Sequence, residues 1–223
     1  MSKTDDSMDR IREKKKCFLA REERIIDKAL QLLIRDGIDR VTVSAIAKAA
    51  GVGKGTVYKH FLTKTEILMR IVLDYEQSIT ENLRLGIEAT EAGDPGAAAR
   101  SYFQARLSDP ALDRLVQQLE VKLEGNEEVA DSMAELHTLR RSNIDALNSM
   151  IAKLIDKGIL EDVPPHYQYL SCWALAQGAV EAYFNVSYGA DVEDKEDFLR
   201  FIANIGITMG NRGQLRDEPV LLK

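Results

Sequence analysis

Apolar residues recur along most of this 223-residue chain at the spacing of three to four residues that is typical of α-helices. Near the N-terminus, one face of a predicted helix contains Ile25, Ile26, Ala29, Leu32 and Leu33. Asp36-Gly37 is expected to end this helix, because Gly37 can adopt the left-handed conformation that follows many helices. No segment has the alternating pattern of a β-strand, so the sequence predicts an all-α chain.

Two short helices are predicted next. Thr42 precedes an apolar run in the manner of a helix cap, and Gly51 is expected to end the helix that follows. Val52-Gly53 then forms a tight turn, and a third helix is expected from Lys54 to about Phe61. The sequence therefore predicts a helix, a turn and a second helix over about 20 residues.

A capping box begins a long fourth helix. The hydroxyl of Thr63 can accept a hydrogen bond from a first-turn amide while Glu66 reaches back, and helical spacing then continues to about Thr90. Asp94-Pro95 marks a break and the start of another helix. Five further helices are predicted at about 96–107, 110–124, 127–158, 165–187 and 194–212, before a loose tail over 214–223.

Charge divides the chain into two unequal parts. Residues 1–64 contain 15 basic and 9 acidic side chains, a net charge of +6. Residues 65–223 contain 15 basic and 27 acidic side chains, a net charge of −12, which brings the whole chain to −6. A polyanion such as DNA would therefore be bound by the N-terminal part alone.

Composition indicates where the protein works. The chain is 45% hydrophobic, which is enough for a sizeable core, and no apolar run approaches the roughly 20 residues that span a membrane. The polar N-terminus lacks a signal-peptide pattern, so a cytoplasmic protein with no membrane partner is expected. Cys17 and Cys172 do not make a disulfide framework, and each is expected to be structural or incidental.

The segment TVSAIAKAAGVGKGTVYKHF, residues 42–61, is the most specific part of the sequence. Its two predicted helices and glycine-containing turn are typical of a helix-turn-helix, whose second helix enters the DNA major groove. The free amides at the start of that helix favour phosphate, and Gly55 permits close approach of another backbone. Tyr58 and His60 are expected to donate to phosphate oxygens from the outer face, whereas Val57 and Phe61 turn inward.

This segment resembles the signature of the TetR family. In that family a helix of the form T-V-x-x-I-A-x-A-A-G-V precedes x-K-G-T-[VL]-Y-x-[HY]-F, and residues 62–68 resemble the family's opening of helix 4. The resemblance covers about residues 20–70. Gly53 departs from it, since the family usually has Ser or another good cap there, so the second helix is expected to begin less firmly.

The resemblance implies an N-terminal three-helix helix-turn-helix domain followed by a larger helical domain for ligand binding and dimerisation. The expected boundaries are a flexible basic arm at 1–17, which could extend helix 1 backwards, a DNA-binding domain at 18–64 and an effector-binding domain at 65–213. Such a protein is a transcriptional regulator, usually a repressor that a small molecule releases from a palindromic double-stranded DNA operator.

The resemblance also assigns candidate DNA contacts. Gly55, together with Lys54, would lie nearest the base edges, and the residues implied to hold the DNA backbone are Thr42, Lys54, Thr56, Tyr58, Lys59, His60 and Lys64. Further basic side chains in the arm are Arg10, Arg12, Lys14, Lys15 and Lys16. They add contacts to the minor groove or phosphates, or they serve solubility alone.

The middle helices would enclose the effector. Aromatic, sulfur-containing and polar residues expected to line its site are Tyr75, Phe103, Met133, His137, Met150, Trp173, Gln177 and Tyr183. Residues of these types occur more often in an ordinary core, which is the alternative for each of them. The mostly apolar inventory favours a hydrophobic or amphipathic ligand, such as an acyl derivative or an aromatic compound.

The last two helices predict a homodimer. An apolar stripe contains Phe198, Phe201, Ile202, Ile205 and Met209, and the preceding helix has a face of small residues at Ser171, Ala174, Gly178 and Ala182. Two such helices from each of two chains would form a four-helix bundle. A two-fold dimer would place two recognition helices about 34–36 Å apart, one turn of B-DNA. Packing within one chain is the alternative.

Other functional classes have weaker support. Gly51–Thr56 resembles a phosphate-binding loop, but that motif requires Ser or Thr directly after Gly-Lys, and here Gly55 separates Lys54 from Thr56. The motif also requires an earlier glycine at a position that Lys48 occupies in this chain. The three histidines lack metal-ligand spacing and no nucleophile motif is present, so no enzyme, cofactor or metal is expected. The alternative function is a helical protein-interaction adaptor that uses its acidic body and does not bind DNA specifically.

Overall fold

The computed structural model describes residues 3–189 and 192–212. These residues form ten α-helices, with no β-strand among them, so the predicted all-α fold is confirmed. The helices are α1 (Lys3–Asp36), α2 (Val43–Ala49), α3 (Lys54–Val57), α4 (Lys64–Glu91), α5 (Ala97–Leu107), α6 (Pro110–Leu123), α7 (Ala130–Asp156), α8 (Pro165–Phe184), α9 (Val186–Gly189) and α10 (Lys195–Arg212). A 3₁₀ turn at Glu127–Val129 precedes α7.

Three predicted helix ends differ from the structure. Helix α1 begins at Lys3, so the segment 3–17 is helical, which is the backward extension that the sequence left open. Helix α3 ends at Val57 instead of Phe61, because the amides of Lys59 and His60 bond to carbonyls three residues earlier. The helix expected to run to residue 187 ends at Phe184 and is followed by the short α9. The predicted tail 214–223 lies outside the described residues.

The chain divides into two compact units, and neither is continuous in sequence. One consists of Met1–Leu73 and Leu115–Ser132, and the other of Asp74–Arg114 and Met133–Lys223. Helices α4, α6 and α7 therefore each contribute residues to both units. The boundary predicted at residue 64 separates domains along the sequence. The two compact units are instead defined by which residues pack together, so each unit combines segments from separate parts of the chain.

The first unit takes its form from local capping and an apolar core. The hydroxyl of Thr42 accepts a hydrogen bond from the Ala45 amide at 3.2 Å, as expected for the residue that caps α2. The predicted capping box before α4 is present, since the Thr63 hydroxyl accepts a hydrogen bond from the Glu66 amide. The Glu66 carboxylate reaches back past Thr63 and accepts from the Leu62 amide at 2.6 Å. Buried side chains of this unit include Ile25, Ala29, Leu33, Ile46, Val57, Phe61 and Ile67.

The second unit contains two apolar clusters. The first joins α5, α8 and α10 and includes Phe103, Leu107, Ala176, Ala179, Val180 and Leu199. The second includes Ala98, Met150, Ile151, Leu154 and Leu160. Helix α10 approaches α5 closely at Gly206, where an added Cβ would overlap the ring of Phe103. The described helices include none that is long and apolar enough to cross a membrane.

Candidate nucleic-acid interface and effector cavity

The second and third helices expose most of the side chains that were predicted to contact DNA. Thr56 is half-buried, and the exposed residues are Thr42, Lys54, Gly55, Tyr58 and Lys59. Val57 and Phe61 are buried, which confirms that these two residues turn inward and anchor α3 to the core. The short helix therefore has an apolar side packed on its own unit and a polar, basic side toward solvent.

Lys54 and Tyr58 lie one helical turn apart on this exposed side. The Lys54 ammonium stands 5.7 Å from the centre of the Tyr58 ring, within the range of a cation–π interaction. Such a pair presents a positive charge and a phenol hydroxyl together. Both groups donate hydrogen bonds to phosphate oxygens.

Gly55 leaves the surface between these side chains bare. A Cβ added there would meet no atom within 4 Å, and the backbone of Gly55 lies outside the left-handed region. Neither packing nor backbone conformation within the chain therefore requires glycine at this position. An exposed glycine in a helix allows another molecule to approach the backbone closely, at a cost in helix stability.

His60 is a correction to the predicted interface. Its side chain is only 1% exposed, and its Nδ1 lies 3.4 Å from the Glu22 carboxylate, which also accepts from Arg70 at 2.7 Å. The imidazole stacks on the ring of Phe18 with 3.9 Å between centres. The turn after α3 directs this side chain toward α1, so His60 joins the end of α3 to α1 and does not face the outer surface.

Lys64 differs from the prediction in a similar way. Its Nζ donates a hydrogen bond to the Ile38 carbonyl at 2.6 Å, and burial, together with nearby Lys122, lowers its pKa. The ammonium therefore holds the link after α1 against the start of α4. In the basic arm, Lys14, Lys15 and Lys16 are exposed on α1, whereas the side chain of Arg10 lies outside the described part of the chain.

The second unit contains a cavity of about 80 Å³ between its helices. The residues around it are mostly aliphatic, and they come from α4, α5, α7, α8 and the segments next to them. The lining consists of Leu83, Pro95, Ala98, Ala99, Tyr102, Leu147, Met150, Ile151, Leu154, Leu160, Gln168, Tyr169 and Cys172. Burial at this wall raises the pKa of the Cys172 thiol to about 11.

Of the eight residues predicted to line an effector site, Met150 alone is among these thirteen. Phe103 and Tyr183 belong to the apolar cluster of α5, α8 and α10. Met133 is half-buried away from the cavity lining, and His137 is exposed. Trp173 is 48% exposed on the outer side of α8. These five residues lie in the core or at the surface and do not line the cavity. The direction in which a helical side chain points depends on how the helices pack, and residue type does not reveal that packing.

Tyr75 and Gln177, the other two predicted residues, meet in a buried polar network beside the cavity. Its centre is an ion pair in which the Arg106 guanidinium donates twice to the Asp113 carboxylate. The Tyr75 hydroxyl donates to the same carboxylate, and Arg106 also donates to the Gln177 side-chain oxygen at 3.3 Å and the Tyr102 hydroxyl at 2.8 Å. Tyr102 therefore belongs both to this network and to the cavity wall.

The network fixes the ionisation of its members. Burial and the neighbouring Asp113 carboxylate both raise the pKa of Tyr75, so its hydroxyl stays protonated. Burial also raises the pKa of Tyr102 to about 12, with Arg106 acting in the opposite direction. Burial is the largest single influence on Arg106 and lowers its pKa, but the Asp113 hydrogen bonds, together with the charge interactions of Tyr102, Asp113 and Tyr75, raise the guanidinium pKa overall. The network thus contains one paired charge of each sign and neutral phenols.

Sequence reasoning missed Arg106, Asp113 and Tyr102. The available signal was the i, i+4 spacing of Tyr102 and Arg106 on a helix that also bears Phe103, which places a charge near a core-facing position. Asp113 gave no comparable signal, since an acidic residue in a first helical turn is ordinary. Within the described ranges, no group of three or more histidine, cysteine, aspartate and glutamate side chains is arranged to hold a metal ion.

Residues 25–71, which include both helices of the candidate interface, match the family described as "Bacterial regulatory proteins, tetR family". The chain is 28% identical over 120 residues to the HTH-type transcriptional regulator TtgR of Pseudomonas putida, which covers 54% of this chain and 57% of that protein. The chain therefore spans little more than half the length of this relative.

Solved structures of similar fold cover more of the chain. A bacterial regulatory protein in the tetR family from Rhodococcus RHA1 has a TM-score of 0.64 at 18% identity over 86% of this chain and 97% of that one. AibR, in complex with isovaleryl coenzyme A and operator DNA, has a TM-score of 0.61 at 14% identity over 83% and 97%. At such identities these likenesses concern the fold alone. The match at residues 25–71 identifies this segment as similar to the helix-turn-helix region of bacterial regulatory proteins of the tetR family.

Proposed function

We propose that this protein is a sequence-specific DNA-binding transcriptional regulator, a homodimeric repressor that a small molecule releases from a palindromic operator. The observation that supports this most directly is the exposed face of α2 and α3, where Lys54, Tyr58 and Lys59 surround the bare backbone of Gly55. The similarity of residues 25–71 to bacterial regulatory proteins of the tetR family points the same way. A protein-interaction adaptor without specific DNA binding is not favoured, since that function does not account for the exposed basic side chains of this face.

On DNA, α3 would enter the major groove. Lys54, Tyr58 and Lys59 would hold phosphates on either side, and Thr42 at the start of α2 would reach the adjacent backbone. Gly55 would lie nearest the bases, because no side chain there keeps the helix away from them. His60 and Lys64 would support this face from within, through their contacts with Glu22 and the Ile38 carbonyl.

The homodimer would form through α8 and α10. Ser171, Ala174 and Gly178 are exposed on α8, and Phe201 is 60% exposed on α10, which leaves an apolar face open to a second copy. Phe198 and Ile202 instead pack on the apolar cluster of their own chain, so the predicted stripe is divided between core and interface. Ile205 and Ala182 are half-buried, and the side chain of Met209 lies outside the described residues.

A ligand in the cavity would act on DNA binding through α4. Tyr102 at the cavity wall bonds to Arg106, whose partner Asp113 accepts from Tyr75 on α4. Helix α4 continues without a break from residues of the first unit into the second. A ligand that moved Tyr102 would therefore favour one position of α4 over another. Differential affinity of this kind is commonly worth about 1–3 kcal/mol between two sites.

Selection of the purified protein against a random duplex library tests the proposal. A regulator of this type should enrich a palindrome, and its affinity should fall steeply as salt rises, because lysines displace counterions from phosphates. Recovery of no motif, with weak binding at low salt only, would leave the adaptor as the better account.

Substitutions on α3 test the docking. Lys54→Ala and Tyr58→Ala should each weaken operator binding about tenfold or more, and Lys54→Ala should also lower the salt dependence by about one counterion. Lys153→Ala is the matched control, because this exposed lysine pairs with Glu91 in the second unit. All three variants should remain dimers in sedimentation velocity experiments. Normal operator binding by either α3 variant would mean that another surface contacts DNA.

A further inference from the structure

The cavity of the second unit has a wall without formal charge. None of the thirteen lining residues is Lys, Arg, His, Asp or Glu. Its polar groups are the side chains of Tyr102, Gln168, Tyr169 and Cys172, and burial keeps the Cys172 thiol in its neutral form by raising its pKa to about 11. A ligand in this cavity therefore meets aliphatic surface and a few neutral dipoles.

The nearest buried charge on α5 is already neutralised. Arg106 lies one turn from Tyr102, and its guanidinium donates to the Asp113 carboxylate, to Gln177 and to the Tyr102 hydroxyl. A carboxylate ligand would have to compete with Asp113 for Arg106, and an ammonium ligand would have to compete with Arg106 for Asp113. Either ion would lose its hydration without gaining an opposite charge.

Tyr102, which lines the cavity, has a hydroxyl that can still donate a hydrogen bond. In its bond with Arg106 the guanidinium donates and the phenol oxygen accepts, at 2.8 Å. The phenol proton takes no part in that bond, since a guanidinium has no acceptor. Because the positive charge of Arg106 lies behind the phenol, it strengthens the hydroxyl as a donor. A ligand with a carbonyl or ether oxygen would be recognised by this group.

The size of the cavity limits the ligand further. Its volume of about 80 Å³ is about half of the roughly 150 Å³ of an engineered cavity that binds benzene. A short aliphatic molecule with a single polar group matches that space. A long acyl chain or a fused aromatic ring would extend beyond that space.

We propose that the cavity binds a small uncharged molecule with one hydrogen-bond acceptor, such as a short-chain ketone, ester or amide, and that Tyr102 donates to that acceptor. The inference rests on the proposed function in that this molecule is taken to be the effector. This ligand class is narrower than the hydrophobic or amphipathic ligands expected from the sequence, because it excludes molecules whose carboxylate or ammonium group would have to enter the cavity.

Three probes of nearly identical shape separate charge from size. 2-Butanone is neutral, propionate is its anionic analogue and propionamidine is its cationic analogue. The full-length protein, labelled with ¹³C at its methionine methyl groups, is titrated with each. Met150 lines the cavity and reports binding, whereas Met69 is buried in the first unit and serves as the internal control.

The expected result is a saturable shift of the Met150 signal with 2-butanone while Met69 is unchanged. Propionate and propionamidine should bind at least tenfold more weakly. Ala99→Leu, which fills the cavity from α5, should abolish the shift, and Ala105→Leu on the same helix should preserve it. Tyr102→Phe should lower the affinity for 2-butanone several-fold but leave the uptake of xenon unchanged, because xenon needs space and no hydrogen bond.

Equal or tighter binding of either ion at Met150 would overturn the proposal, as would the absence of any Met150 shift with 2-butanone. Operator binding is measured separately on the unlabelled protein without probes. If the operator binds normally and 2-butanone does not, the ligand class is wrong and the DNA-binding function stands. If 2-butanone binds and no operator is found, the cavity chemistry is right and the proposed function is wrong.

Discussion

The two units differ in whether their candidate functional groups are on the surface or within the core. In the first, Lys54, Gly55 and Tyr58 are exposed at α3, above a core that includes Ile46 and Val57. In the second, the Arg106–Asp113 pair is buried, and the cavity is lined by side chains of the helices that form the core. The first unit can therefore lose an exposed side chain with little effect on folding, whereas changes to the second unit's functional groups also remove core interactions.

The difference is expected to be largest for the buried ion pair. Asp113→Ala would leave the Arg106 guanidinium unpaired and remove the acceptor of Tyr75, so the free energy of unfolding should fall by about 3–5 kcal/mol. The matched control is Asp94→Ala, which breaks the exposed pair with Arg100 and should cost less than about 1 kcal/mol. Urea denaturation at a fixed protein concentration measures both variants.

Removing both charges sharpens this test. The double variant Arg106→Met, Asp113→Leu should be more stable than Asp113→Ala alone, because it leaves no unpaired charge in the core. If Asp113→Ala cost no more than the exposed control, the polar network would contribute little to folding and the contrast between the units would fail.

The two cysteines compare the units directly. Burial raises the pKa of Cys172 to about 11 from an ordinary value of 9.0, so its thiolate fraction at pH 8 should be about a hundredfold below that of an unshifted thiol. Cys17 is exposed on α1. Iodoacetamide should therefore modify Cys17 first, with Cys172 slower by about two orders of magnitude, as followed by peptide mass spectrometry.

The same shift predicts a loss of stability in alkali. Between pH 9 and about 11 the unfolded chain has released the Cys172 proton while the folded chain retains it, so the free energy of unfolding falls as pH rises. Cys172→Ala should remove this part of the pH dependence. Equal alkylation rates for the two cysteines would indicate that the second unit opens readily around its cavity.

Two helical glycines give the next contrast. A Cβ at Gly206 would overlap the Phe103 ring and approach Leu175, so Gly206→Ala should lower the free energy of unfolding by about 1–3 kcal/mol. Phe103→Leu removes the overlapping ring atoms, and the double variant should recover part of the loss relative to the sum of the single changes. Full additivity in a denaturation cycle would mean that the two positions do not interact.

Gly55→Ala should have the opposite effect on stability and the smallest one. Its Cβ would meet nothing within 4 Å, so the helix should gain about 0.5–1 kcal/mol from the lost flexibility of the unfolded chain. Operator affinity should fall about tenfold because the methyl group would keep α3 from the bases. A variant that is more stable and still binds operator normally would remove Gly55 from the interface.

Sequence reasoning succeeded where a local rule governs the residue. Thr42 caps α2 and Thr63 caps the start of α4 as predicted, since capping depends on neighbours within one turn. Val57 turns inward because helical spacing fixes its side, and Phe61 is buried although it lies beyond the end of α3. The prediction that His60 faces outward is wrong, because α3 ends early and the turn that follows changes the direction of the His60 side chain.

Most of the predicted effector residues do not line the cavity, and the reason is different. Phe103, Met150 and Trp173 belong to types that occur in a core, at a cavity and on a surface alike, and the structure has one of them in each place. Residue type alone does not distinguish these three environments. The cavity wall instead includes Ala99, Gln168 and Cys172, none of which stands out in the sequence.

The sequence by itself determined the helices, the basic helix-turn-helix and the exposed face of α3, because periodicity, capping and charge act over a few residues and do not depend on distant contacts. Only the tertiary structure decided that His60 is buried, that Arg106 and Asp113 form a pair and that a small uncharged cavity lies beside Tyr102. Those features require residues from separate helices to meet, and their position depends on how whole helix faces pack together.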